Sequence, residues 1–140
     1  EIACRVIRTA RKMGIKTVAI YSEADANSLH VRMADEAVCV VGSSLGRSSI
    51  YLNIPAILQA IRDTGAQAVH PGYGFLSENA AFVKALREEN VAFIGPDESA
   101  MSALGDKIES KLIAKESGIH TVPGFNGVVR DAEHAVEIGK

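Results

Sequence analysis

The sequence is poor in the residues that form disulfide frameworks and metal sites. Its two cysteines, Cys4 and Cys39, lie far apart with no Cys-x-x-Cys pair, so we expect reduced core thiols. The four histidines are scattered, and no group of histidine and cysteine has the spacing of metal ligands. No nucleophile elbow and no evident Ser/His/Asp arrangement is present. The residues therefore predict neither a metal site nor a catalytic triad.

A surplus of basic residues and a long apolar run are also missing. The formal net charge of −2 argues against binding to nucleic acid or to an acidic membrane surface. The apolar stretches are short and interrupted, so no transmembrane helix is predicted. No signal or transit peptide is recognisable, yet the chain opens directly on a helical pattern, and we treat it as a piece of a longer protein.

What the sequence does have is an alternation of helical and extended patterns. Apolar residues recur at helical spacing between short runs rich in β-branched residues, which is typical of an α/β fold with a doubly wound parallel sheet. Near residues 95–105 this alternation gives way to helices, so we divide the chain into domains 1–104 and 105–140. Strands are predicted at 16–21, 37–41, 67–70 and 91–94, with helices at 2–13, 54–64 and 79–89 among others.

Ligands of open parallel sheets gather at the carboxyl ends of the strands, where two loops stand out. Gly42–Ser48 is one residue short of a phosphate-binding loop and lacks its lysine, so an ordinary surface loop is favoured. His70–Asn79 begins like a dinucleotide fingerprint, with Ser77 in the place of the third glycine. Its two glycines permit positive φ angles and close approach of a ligand.

The side chains of the second loop have separate expectations. Tyr73, between two glycines, is expected to be displayed, whereas Phe75 and Leu76 are expected to plug the core. Ser77 or Asn79 is expected to cap the next helix, and His70 to be packed or hydrogen-bonded. Whether this loop binds a ligand stays open at this point.

A third candidate is Gly105-Asp106-Lys107. A lysine in the first turn of a helix faces the positive end of the macrodipole, which costs a few tenths of a kcal/mol. Such a placement suits a cation that must meet an anion, but a solvated lysine balanced by Asp106 and Glu109 is an alternative. Taken alone, the residues predict a nucleotide-type α/β fold and leave its reaction open.

Three motifs in combination resemble the biotin carboxylase family. They are HPGYGFLSEN at 70–79, FIGP at 93–96 and GDK at 105–107. Residues 1–25 are similar to the segment that follows the family's N-terminal strand, and the resemblance covers essentially the whole chain. It implies a Rossmann-like domain that precedes an ATP-grasp domain, with residues 105–140 as the first helices leading into the latter.

The resemblance also implies a reaction. In the family, MgATP phosphorylates bicarbonate to carboxyphosphate, which supplies CO2 to the ureido nitrogen of biotin. Lys107 matches the lysine that contacts ATP; Tyr73 and Gly74 match the loop that lines the biotin pocket, and Glu78 would help to shape it. The catalytic acid and base and the Mg²⁺ ligands lie downstream in the family. The chain alone is therefore expected to contain no catalytic residue and to be inactive.

The implied partners are a biotin carboxyl carrier domain and a carboxyltransferase β subunit that passes the carboxyl group to an acyl-CoA, in a hetero-oligomer. The location would be the mitochondrial matrix in a eukaryote or the cytoplasm in a bacterium.

Three alternatives to the biotin carboxylase family are weaker. A dinucleotide-binding domain would need a glycine at Ser77 and an acidic residue where Gly95-Pro96 stands. A non-catalytic assembly module does not require a glycine loop, and another ATP-grasp ligase would lack HPGYGFLSEN.

Overall fold

A computed structural model of the chain describes residues 1–41 and 47–139. It consists of two compact units, Glu1–Glu98 and Ser99–Lys140, and each is described by itself. The candidate loop Gly42–Ser48 lies mostly outside the described residues. The assignment of domains to 1–104 and 105–140 stays a prediction.

Helices and strands alternate in the first unit, in the predicted order. Two of these helices are short 3-10 helices, Glu23–Asp25 and Arg47–Leu52. The other elements are α1 (Ile2–Lys12), β1 (Val18–Tyr21), α2 (Leu29–Met33), β2 (Glu36–Cys39), α3 (Ile54–Thr64), β3 (Ala68–Val69), α4 (Ala80–Glu88) and β4 (Ala92–Phe93).

All strand pairs are parallel, which confirms the predicted α/β class. β1 pairs with β2 from Val18 opposite Glu36 to Tyr21 opposite Cys39, and β3 pairs with β4 over two residues of each strand. The four strands of the described ranges form two two-stranded sheets, β1-β2 and β3-β4. The sequence pattern predicted one sheet, because it locates strands without identifying their hydrogen-bonded neighbours.

One apolar cluster joins helices and strands of the first unit. Leu86 is completely buried, with 0% of its surface exposed, and Phe82 packs beside it on α4. Ile57 and Ile61 contribute from α3, and Leu76 from the loop before α4. Side chains from both strand pairs pack against this cluster, namely Ile20, Val69 and Phe93.

The helix ends show why these segments start and stop where they do. The Asn53 side chain accepts a hydrogen bond from the Ala56 amide at 3.2 Å, and Gly65 ends α3 with a φ of 64°. Asn79 caps α4 in the same way, accepting from the Phe82 amide at 2.9 Å. These contacts satisfy amides that have no partner within the helix, and the contact of Asn79 confirms the cap predicted for α4.

The two cysteines differ in environment. Both are free thiols; Cys4 lies on the buried face of α1, whereas Cys39 is exposed at the end of β2. The expectation of a core position is therefore wrong for Cys39. Among the described residues β2 pairs with β1 on one side alone, and its side chains remain largely accessible.

The second unit is helical, apart from a segment without regular secondary structure between α6 and α7. α5 (Glu98–Gly105) begins at the last residue of the first unit, and α6 (Lys107–Glu116) and α7 (Ala132–Ile138) follow. Asp131 caps α7 by accepting from the His134 amide at 2.8 Å, and the His134 ring contacts the Phe125 ring edge-on at a centroid distance of 5.3 Å.

Candidate functional site

The glycine loop, His70–Asn79, follows directly on β3. Its backbone enters the left-handed region at Gly72, Gly74 and Phe75, with φ angles of 75°, 74° and 49°. Residues with a Cβ atom rarely adopt such φ angles, whereas glycine adopts them without strain. The loop is closed by the Ser77 amide, which donates to the Gly74 carbonyl at 2.9 Å.

Backbone and side chains of the glycine loop hold each other in place. The Gly72 amide donates to Nδ1 of His70 at 3.1 Å, which confirms the hydrogen-bonded role expected of this histidine. Leu76 is buried with 4% of its surface exposed and belongs to the core cluster. The loop is thus anchored at both ends, since Asn79 also caps α4.

The residues predicted for the biotin pocket come together on this loop. Tyr73 projects outward with 84% of its surface exposed, as expected for an aromatic side chain between two glycines. Gly74 and Glu78 are exposed as well. A ligand could therefore reach the Tyr73 ring and the adjoining main chain. Their role toward biotin stays a prediction.

Phe75 corrects the expectation that both Phe75 and Leu76 plug the core. It remains 61% exposed, and its ring lies against Tyr51, with ring centroids 5.5 Å apart and an angle of 57° between the planes. Gly74 and Phe75 both have positive φ angles, and the chain turns there so that Leu76 points into the core and Phe75 does not.

Behind this contact lies a group that the sequence did not reveal, the tyrosine network of Ser22, Asp25 and Tyr51. Oδ2 of Asp25 accepts from the Ser22 hydroxyl at 2.6 Å and from the Tyr51 hydroxyl at 2.5 Å. The Tyr51 oxygen in turn accepts from the Ser22 amide at 3.0 Å. All three groups meet beyond the carboxyl end of β1, where short polar residues were the only available signal.

The tyrosine network perturbs two ionisable groups in opposite directions. Hydrogen bonds from Ser22 and Tyr51 lower the pKa of Asp25, because they stabilise its carboxylate. Burial, together with the hydrogen bond to Asp25, raises the pKa of Tyr51. A neutral phenol that donates to a carboxylate is therefore the stable state at neutral pH.

Lys107 lies in the second unit as the first residue of α6, and its side chain is exposed. Oδ1 of Asp106 accepts from the amides of Ile108 and Glu109, both at 2.8 Å. The carboxylate thus occupies amides that could otherwise have bound a phosphate. An anion approaching this helix end would meet the lysine ammonium. That Lys107 contacts ATP stays a prediction.

No metal-binding cluster and no membrane-spanning helix is present in the part of the chain that the structure describes. Within residues 1–41 and 47–139, no three histidine, cysteine or acidic side chains converge in a way that could hold a metal ion. The helices of these same ranges are too short or too polar to cross a membrane.

Comparison with known proteins gives a family match. The family model described as the N-terminal domain of biotin carboxylase matches residues 1–101. The mitochondrial propionyl-CoA carboxylase α chain of Homo sapiens is 64% identical over all 140 residues, which are 19% of that protein. The propionyl-CoA carboxylase α chain of Ruegeria pomeroyi is 59% identical over 138 residues, 99% of this chain and 20% of the relative. The chain thus spans about a fifth of the length of these relatives.

Solved structures agree with the sequence match. The biotin carboxylase domain of Hydrogenobacter thermophilus 2-oxoglutarate carboxylase superposes with a TM-score of 0.88 at 44% identity. The match covers 99% of this chain and 30% of that one. That domain was crystallised as a dimer with MgADP, ADP and bicarbonate.

Proposed function

This chain belongs to the biotin carboxylase family, and from that premise we propose that it is the nucleotide-fold part of an ATP-dependent ligase. The full-length protein would use MgATP and bicarbonate to carboxylate biotin carried on another domain. The observation that carries the proposal is the glycine loop, where positive φ angles at Gly72, Gly74 and Phe75 accompany an exposed Tyr73 beside accessible main chain.

The glycine loop fits a small polar ring such as the ureido group of biotin. Gly74 has no Cβ, and a Cβ built there would meet no heavy atom within 4 Å, so the main chain is open to a ligand. Peptide groups offer both donors and acceptors, which a ureido group can pair with. In this proposal, Tyr73 and Gly74 line the biotin pocket and Glu78 contributes to its rim.

Lys107 would contact ATP. Because Asp106 already holds the amides of the first turn of α6, the ammonium is the group left to meet a phosphate. A positive charge beside a polyphosphate stabilises the charge that moves during phosphoryl transfer. The chemistry of the activated bicarbonate, and the Mg²⁺ ligands, are assigned to segments outside these 140 residues.

The acyl-CoA proposed to receive the carboxyl group is propionyl-CoA, on the strength of the two α-chain relatives at 64% and 59% identity. Methylcrotonoyl-CoA or another acceptor is the alternative. A biotin carboxyl carrier domain and a carboxyltransferase β subunit would complete a hetero-oligomer. We propose the mitochondrial matrix for a eukaryotic source, in line with the human relative, and the cytoplasm for a bacterial one.

The test is an assay of the full-length protein for ATP hydrolysis that requires both bicarbonate and biotin. Carboxylation of propionyl-CoA and of methylcrotonoyl-CoA, measured in parallel with the β subunit, identifies the acceptor. We expect ADP release that depends on all three substrates and a higher kcat/KM with propionyl-CoA. ATP hydrolysis indifferent to biotin would refute the proposed function, whereas a preference for methylcrotonoyl-CoA would refute only the choice of acceptor.

A further inference from the structure

The two halves of the glycine loop are held in place by different contacts. Leu76 and Asn79 anchor the C-terminal half of the loop through the core and the cap of α4. The half that displays Tyr73 has Phe75 as its neighbour, a residue in a left-handed conformation that its side chain disfavours. What keeps Phe75 in that conformation therefore determines where Tyr73 points.

The Tyr51 ring is the partner that the structure provides for Phe75. The ring centroids are 5.5 Å apart and the planes are inclined by 57°, a tilted arrangement within the range that aromatic pairs prefer. Tyr51 belongs to the 3-10 helix before α3 and is 24 positions from Phe75 in the sequence. The contact is therefore tertiary.

Tyr51 itself is fixed by the tyrosine network. Its hydroxyl donates to Asp25 and accepts from the Ser22 amide, and Ser22 is buried with 4% of its surface exposed. Two hydrogen bonds to a segment anchored at the end of β1 hold the ring in one orientation. A ring held in this way gives Phe75 a rigid surface to pack on, so the geometry is transmitted from β1 to the glycine loop.

We propose that Tyr51 is a positioning residue of the biotin site, which sets the glycine loop through Phe75 without touching a substrate. This inference rests on the proposed function. It predicts that biotin binding, and neither ATP binding nor the chemical step, responds to Tyr51. Loss of the contact between the two aromatic rings should weaken biotin binding about 3- to 10-fold.

The experiment compares four variants of the full-length enzyme. For Tyr51→Leu we expect KM for biotin to rise about 3- to 10-fold, with kcat and KM for ATP within about 2-fold. Phe75→Leu should have the same effect, and the double variant should be no worse than either single one, since both remove the same contact. Tyr51→Phe keeps the ring and loses its hydrogen bonds, so its effect should be smaller.

A matched control separates positioning from general loss of stability. Phe93→Leu removes half of another aromatic pair of the first unit, in which the rings of Phe82 and Phe93 lie 6.3 Å apart. It should lower the melting temperature and leave KM for biotin unchanged. If it raises KM for biotin as much as Tyr51→Leu, or if Tyr51→Leu and Phe75→Leu multiply in the double variant, the proposal is overturned.

Hydrogen exchange distinguishes this inference from the proposed function. In Tyr51→Leu, exchange of the peptide that contains residues 72–77 should be faster, since the Ser77 amide is held by the Gly74 carbonyl. In Phe93→Leu it should be unchanged. A wild-type enzyme without biotin-dependent turnover would refute the proposed function. Unchanged exchange in Tyr51→Leu would refute the positioning role, whatever the enzyme carboxylates.

Discussion

Replacing Gly74 by alanine isolates the requirement for a left-handed backbone in the glycine loop. Its φ is 74°, and an added Cβ would meet no heavy atom within 4 Å, so the substitution introduces strain without a clash. That strain amounts to about 1–2 kcal/mol, offset by about 0.4–1 kcal/mol from the stiffer unfolded chain. The net loss of stability is about 1 kcal/mol.

Gly65 provides the matched control, since it ends α3 with a φ of 64° and also has nothing within 4 Å of an added Cβ. Gly65→Ala and Gly74→Ala should therefore lower the melting temperature of the full-length enzyme to a similar degree. KM for biotin should rise by up to about 5-fold in Gly74→Ala alone, because a loop that relaxes to relieve a strain of ~1 kcal/mol must take up that strain again on binding. Equal KM values for biotin in both variants would refute the role of this backbone in binding.

Three further predictions concern nucleotide binding, acid stability and the catalytic content of the chain. Lys107→Gln should raise KM for ATP about 10-fold, because the substitution removes a charged hydrogen bond. Lys111→Gln on the same helix should leave KM for ATP unchanged, and equal effects of the two substitutions would show that only overall charge matters. The pKa of Asp35 is lowered because its carboxylate accepts hydrogen bonds from the amide and hydroxyl of Thr17. The stabilisation that these bonds provide is complete above the ordinary aspartate pKa of about 3.9 and is lost as pH falls through the lowered value. In thermal melts, the difference in melting temperature between wild type and Asp35→Asn should therefore shrink on acidification, and a constant difference would contradict this prediction. Residues 1–140 alone should show no biotin-dependent ATP hydrolysis, and measurable turnover would place catalytic groups within this chain.

The features that could be predicted from the sequence are those set by near neighbours. Asn53, Asn79 and Asp106 cap helices because a short polar side chain precedes an apolar helical pattern. The apolar faces of α3 and α4 follow from helical periodicity, and they form the core as expected. The exposure of Tyr73 follows from the glycines on either side.

The features that could not be predicted depend on tertiary pairing. Phe75 looks like a core residue beside Leu76, and only the contact with Tyr51 explains its exposed position. Ser22 and Asp25 form a visible polar turn, but nothing in the residue pattern connects them to a tyrosine more than 25 positions away. The hydrogen-bonded partners of strands likewise depend on tertiary structure. For this reason the sequence predicted a single sheet, whereas the described strands form two pairs, β1-β2 and β3-β4.

The most direct test is a crystal structure of the full-length protein with MgADP and biotin. We expect the Lys107 ammonium within about 3 Å of a phosphate oxygen and the ureido ring of biotin against the main chain of Tyr73 and Gly74. A nucleotide bound far from Lys107, or biotin bound away from the glycine loop, would contradict the assignment of this chain's residues to biotin carboxylation.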